Sequence, residues 1–126
     1  MPHAKPTFCS LFGPSGPGLQ RTQTGVTELI VDIVDAANRT ANAKQALNQM
    51  FDGNGKATGA YQYGGLPVWH ASSGNGQQSV CLFYTMNGFT AQVLAIGEHK
   101  TSTSYKLEWG PTPGAFSKNA TIQLAN

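Results

Sequence analysis

Residues 79–105 read SVCLFYTMNGFTAQVLAIGEHKTSTSY, and their reading decides the fold. Asn87-Gly88 stands between two runs of strand-forming residues. Both central positions of a type I′ turn need φ > 0, which Asn and Gly tolerate best, so the pair predicts a β-hairpin. In that register Met86 faces Phe89, Tyr84 faces Ala91, Leu82 faces Val93 and Val80 faces Ala95. One side of the hairpin carries these eight residues. The other carries Cys81, Phe83, Leu94 and Ile96 near its base, and Thr85, Thr90 and Gln92 near its turn. A base apolar on both sides has to be covered on both sides, while the tip is wet on one. The open end runs straight into Glu98-His99-Lys100, a polar cluster beside a large apolar patch.

Outward from the hairpin, 126 residues are enough for one domain with its own core. Charged residues are only 11% of the chain, well below the usual quarter or so, and the net charge is +2. That mild positive bias permits an anionic partner, but dedicated nucleic-acid modules are usually more basic. No apolar run approaches the roughly 18 residues that span a bilayer, and residues 1–18 lack the apolar core of a secretory signal. Cys9 and Cys81 are too few for a disulfide framework. Cys81 falls within a core strand, which favours a buried thiol; the sequence leaves a Cys9–Cys81 bridge open.

Residues 1–24 are punctuated by Pro2, Pro6, Pro14 and Pro17 with interleaved glycines, and read as an arm or linker in which only residues 7–12 suit a short strand. Residues 25–126 form the domain proper. Val26, Leu29, Ile30, Ile33, Val34 and Ala37 follow helical spacing, with Thr24 or Thr27 as cap. The pattern slips near Asn38-Arg39-Thr40 and resumes through Ala43, Ala46, Leu47 and Met50 to a stop at Asp52-Gly53-Asn54-Gly55, giving two helices or one kinked helix. Beyond Gly55 strands and turns follow: 66–70, the central hairpin, 104–109 and a last strand within 120–124. The expected fold is α+β, with N-terminal helices packed on a mostly antiparallel β-meander.

Strand directions in such a meander gather His70, Ser72, Ser73, Gln77, Glu98, His99, Lys100, Ser102, Ser104 and Tyr105 at one end of the sheet. Two histidines serve as general acid and base near neutral pH, and a neighbouring lysine stabilises a developing phosphorane. This toolkit suits metal-free cleavage of RNA, whose 2′-hydroxyl is an internal nucleophile. The plainer reading makes both histidines surface residues at strand ends. His99 is the expected main acid/base group, with Glu98 orienting it; His70 is the second. Lys100 or Lys106 would meet the phosphorane, and Tyr105 would orient the phosphate. Lys56, Ser72, Ser73 and Trp69 are the expected RNA contacts, the indole by stacking. No metal-ligand spacing is present, and neither a G-x-S-x-G elbow nor a phosphate-binding G-x-x-x-x-G-K-[ST] occurs. No cofactor is called for.

The segment CLFYTMNGFTAQVLAIGEHKTSTSY resembles the strand–turn–strand of RelE-type toxins, within the wider barnase-, EndoU- and colicin-like group of bacterial ribonucleases. Tyr84, Asn87-Gly88, the run 93–96, Gly97, His99, Lys100 and Tyr105 carry the resemblance. It implies helices on an antiparallel sheet and a toxin or effector domain that cleaves RNA and blocks translation. It also implies a cognate immunity or antitoxin protein as partner and a place of action in the cytoplasm of the producing or target bacterium, with no membrane association. The chain departs from RelE-type enzymes in having only Arg21 and Arg39 as arginines. Two other readings stand beside it: a binding module such as an immunity or adaptor protein, and an ADP-ribosyltransferase-like toxin using NAD through Ser102-Thr103-Ser104 and Glu108.

Overall fold

The computed structural model describes residues 2–11, 20–34, 39–101, 103–110, 112, 114–124. Seven strands and two α-helices are found there: β1 (Phe8–Leu11), α1 (Gln23–Val34), α2 (Thr40–Phe51), β2 (Lys56–Tyr63), β3 (Leu66–Ser73), β4 (Val80–Asn87), β5 (Thr90–His99), β6 (Ser104–Trp109) and β7 (Thr121–Gln123). Strands β2 to β7 form an antiparallel meander in chain order, and β1 joins β5 in parallel. The α+β class and the meander agree with the sequence. The helices, however, do not come first: a strand of the sheet precedes them, so they lie between strands in the chain. Asp35 to Asn38, including Ala37 of the expected helical stripe, lie outside the described residues.

The helices form where the apolar spacing puts them. Val26, Ile30 and Val34 of α1 and Ala43, Ala46, Leu47 and Met50 of α2 are buried. The cap of α1 is Thr22 rather than Thr24 or Thr27: its hydroxyl accepts from the Gly25 N–H at 3.3 Å, while the Thr27 hydroxyl donates back to the Gln23 carbonyl. Helix α2 ends as the Gly-Asn-Gly run requires. Gly53 takes φ = 77° and donates to the Met50 carbonyl, and Asn54 donates to that of Gln49, a paired closure that satisfies the last carbonyls.

The central hairpin is present, but its turn lies one residue later than the sequence suggests. Asn87 pairs with Thr90 as the ends of β4 and β5, so the loop is Gly88-Phe89. Gly88 alone takes φ > 0, at 64°, at the first loop position, the requirement of a II′ turn rather than a I′ turn. Met86 therefore faces Ala91 and Tyr84 faces Val93. This shift leaves each residue on its expected face. A bulge farther along does not: Phe83 pairs with Ala95 and Tyr84 with Val93, so Leu94 has no partner across the ladder. Beyond it the faces exchange, because one extra residue inverts the alternation. Ile96 joins Val80, Leu82 and Tyr84 under the helices, whereas Leu94 and Ala95 join Cys81 and Phe83 on the opposite face.

Each face has its own core. Helices α1 and α2 cover the first, packing on Leu82, Tyr84, Val93 and Ile96. On the second, Val68, Phe83, Leu94, Leu107, Phe116 and Ile122 pack together as the sheet curls. The curl brings its outer strands into contact, where the Tyr61 hydroxyl donates to the Gln123 carbonyl and accepts from the Gln123 N–H, each at 3.2 Å. Cys9 and Cys81 are both buried free thiols, one in each core, so no bridge joins them. Among the described residues no helix is long and apolar enough to cross a membrane.

The arm belongs to this architecture. Besides supplying β1, it brings His3 against Trp69, with ring centroids 5.0 Å apart, and onto the Tyr84 hydroxyl at 2.7 Å. Tyr84 is fully buried, so His3 supplies a partner that its phenol would otherwise lack. Leaving a buried hydroxyl unpaired costs about 1–3 kcal/mol. His3→Ala is expected to lower unfolding free energy by about that amount in urea titrations, whereas Phe89→Ser at the exposed turn (66% accessible) should leave it within about 0.5 kcal/mol. An arm that merely links would give no loss for His3→Ala.

Candidate functional site

Four strands meet at one end of the curled sheet. His70 of β3 lies opposite Phe83 of β4, and His99 of β5 lies opposite Tyr105 of β6. All four rings share the inner face. Tyr105 stands between the histidines, its ring centroid 4.5 Å from that of His99 and 5.8 Å from that of His70. Phe83 closes the cluster from below, 5.4 Å from Tyr105 edge-on and 6.1 Å from His70 in a near-parallel stack. The expected convergence of His70, His99 and Tyr105 is therefore found, and the Leu94 bulge is its cause: without the extra residue, His99 would fall on the helix side.

The other sequence candidates divide by the same alternation. Lys56 of β2 is the register partner of His70 and stands on its face. Ser72, two residues beyond His70, shares that face beside Cys81. Lys100 is exposed next to His99, its N–H bonded to the Ser104 carbonyl at 2.9 Å. Lys106 does not join them: it alternates away from Tyr105, pairing with Glu98 on the opposite face. Glu98 is likewise on the wrong face to orient the His99 ring. Trp69 turns from His70 toward His3 and the helix-side core. Ser73 is held by α2, donating to Asn42 at 3.0 Å and Gln45 at 2.6 Å. Alternation forces these separations, since neighbours in a strand face opposite ways.

Burial sets the protonation states. Desolvation, with Lys56 and His99 adding positive charge nearby, pushes His70 down to about 4, so its imidazole is neutral at pH 7. Its Nδ1 is buried without a hydrogen-bond partner among the described residues. Burial raises Tyr105, and the neighbouring Cys81 adds to the rise, so the phenol stays protonated. Burial pushes the Cys81 thiol up to about 12, which leaves it inert as a nucleophile.

Two residues that no local signal marks brace the site. The Ser79 hydroxyl accepts the His99 N–H at 2.8 Å and donates to the Gly76 carbonyl at 2.5 Å, tying the end of β5 to the 3-10 turn Gly76–Gln78. Arg39, only 6% accessible, grips Glu108 with both terminal nitrogens and donates to the Ser79 carbonyl at 3.3 Å. Glu108, the carboxylate an NAD-using site would need, is thereby occupied; Ser102 lies outside the described residues. Among the described residues no three His, Cys, Asp or Glu side chains come together as metal ligands would. No family model, curated protein or solved structure matches this chain.

The neutral His70 gives a pH dependence whose sign is fixed. Between about pH 4 and 6.5 the unfolded chain binds a proton at this residue and the folded chain does not, so stability rises with pH across the window. Falling pH should lower the urea midpoint from about 6.5 downward, and His70→Phe should flatten that slope. An equal slope in the variant would place the acid sensitivity elsewhere.

Proposed function

We propose that the end of the curled sheet holding His70, Tyr105 and His99 is the active site of a metal-independent endoribonuclease, in a domain of the toxin or effector kind. The observation that carries the reading is the placement of a protonated phenol between two imidazoles from different strands, at 4.5 and 5.8 Å, with Lys56 and Lys100 alongside. In this chemistry the 2′-oxygen of RNA attacks the adjacent phosphorus, a P–O2′ bond forms and the P–O5′ bond breaks. The products are a 2′,3′-cyclic phosphate and a free 5′-hydroxyl.

His70, neutral at pH 7, is in the form that accepts the 2′ proton. His99 delivers a proton to the departing 5′-oxygen. The work is thus shared more evenly than the sequence suggests, where His99 is the main group. Tyr105 donates its hydroxyl proton to a non-bridging phosphate oxygen, and Lys56 and Lys100 oppose the charge that builds on the phosphorane. A cognate inhibitor of such a domain would cover this end of the sheet.

Cleavage of a fluorescent oligoribonucleotide tests the reading. His99→Ala should lower the rate about 10²- to 10⁴-fold with an unchanged urea midpoint, as expected for loss of an acid/base group. Lys106→Ala, on the other face, should stay within about twofold of wild type. Low-level expression in a bacterium lacking an inhibitor should halt growth in the wild type and not in His99→Ala. Normal growth with abundant soluble wild-type protein, and no RNA cleavage, would overturn the proposal in favour of a binding module.

A further inference from the structure

His99 has a second neighbourhood. It also forms one wall of a pocket of ≈ 420 Å³, with Asn75, Gly76, Lys100 and Thr101 completing the lining. That volume lies within the range of small-ligand sites, about 300–1,000 Å³. The lining holds one cation, one imidazole, one amide and one hydroxyl, and no carboxylate, so it suits an anionic ligand with hydrogen-bonding edges.

The walls are built rather than incidental. Ser79 bonds at once to His99 and to Gly76, fixing two opposite sides relative to each other. The Thr101 hydroxyl accepts the Ser104 N–H at 3.0 Å and meets the Ser104 hydroxyl at 2.8 Å, which holds the turn carrying Lys100. Gly74 and Gly76 both take φ > 0, at 87° and 59°, so the backbone reverses on either side of Asn75. Asn75 sits at the N-cap of the 3-10 turn, where an Asn side chain ordinarily bonds the first free N–H groups, yet it makes no such bond. Its amide is left exposed at the pocket's rim with a donor and an acceptor unspent on the cap.

We infer that this pocket is a nucleotide subsite, in which Lys100 holds a phosphate and the Asn75 amide reads the edge of the adjoining base. The inference rests on the ribonuclease reading for its place in the reaction: the nucleotide bound here is the one flanking the scissile phosphate, and His99 is shared by both sites. The lining has no aromatic ring other than the imidazole, so hydrogen bonds rather than stacking select the base. A planar amide pairs in bidentate fashion with a base edge that offers one donor and one acceptor, which predicts unequal affinity among the four bases.

Titration of the full chain with each of the four 3′-nucleoside monophosphates, followed by calorimetry and by NMR shifts of the Asn75, Gly76 and Thr101 amides, tests this directly. Saturable binding that differs at least fivefold between the best and worst nucleotide is expected, with shifts centred on those amides. Lys100→Ala should weaken all four about tenfold, and Asn75→Ala should bring them within about twofold of one another. Binding of nucleotides in this pattern by a protein that cleaves no RNA would leave the subsite standing and remove the ribonuclease reading. RNA cleavage with no nucleotide-dependent shift at these amides, or with the same base preference in Asn75→Ala, would remove the subsite alone.

Discussion

One unpaired residue decides which chemistry this sheet can present. At Leu94 the β4–β5 ladder takes in an extra residue, and every side chain after it changes face. Ile96 is turned under the helices, where an aliphatic side chain is needed, and Gly97 and His99 are turned inward. A second irregularity, between Ile96 and Gly97 in the β5–β6 ladder, lets Trp109 accompany Ile96 on the helix side while Tyr105 and Leu107 remain inside with His99. The two kinks also tighten the twist of the sheet, and with it the curl that encloses the second core. Ring cluster, curl and helix-side core thus share a single geometric origin.

The bracing of His99 follows from that geometry. Once its side chain faces inward, its backbone needs a fixed partner on the turn before β4, and Ser79 supplies it. Ser79 is in turn held by an arginine at the start of α2, whose charge is balanced by Glu108 of β6. A half-buried ion pair seldom adds much net stability, because desolvation offsets the attraction. Its service here is directional: Arg39 joins the helix layer to β6 and to the turn before β4, beside the place where the proposed chemistry occurs.

Much of this was legible in the chain. The hairpin and the meander follow from turn residues and alternation, and strand direction brings His70, His99 and Tyr105 to one end of the sheet; that they share a face depends on the bulge. What escaped is non-local. Leu94-Ala95 is apolar at both positions, so a period-2 pattern reads equally well with or without a bulge there. The sequence places the turn one residue early because Asn87-Gly88 suits one turn type and Gly88-Phe89 another. Arg39 and Glu108 are 69 residues apart, and nothing beside either one announces the other. Nearness in sequence groups Lys106, Trp69 and Ser73 with the histidines, but in a strand it is as often a sign of facing apart.

The parallel pairing of β1 with β5 has a consequence for the order of events during synthesis. Phe8 emerges early, but Thr90, opposite it, is made roughly eighty residues later. Until β5 exists β1 has no ladder, and until β4 exists His3 has no phenol to meet. The β4–β5 hairpin, joined by two residues, closes within microseconds of appearing, whereas a contact of such long range is slow to form. β1 is therefore made well before β5 but seated only after it. During that interval the nascent chain carries an apolar segment not yet seated in the sheet, and amide exchange in the finished protein should find residues 8–11 opening more readily than the strand they pair with.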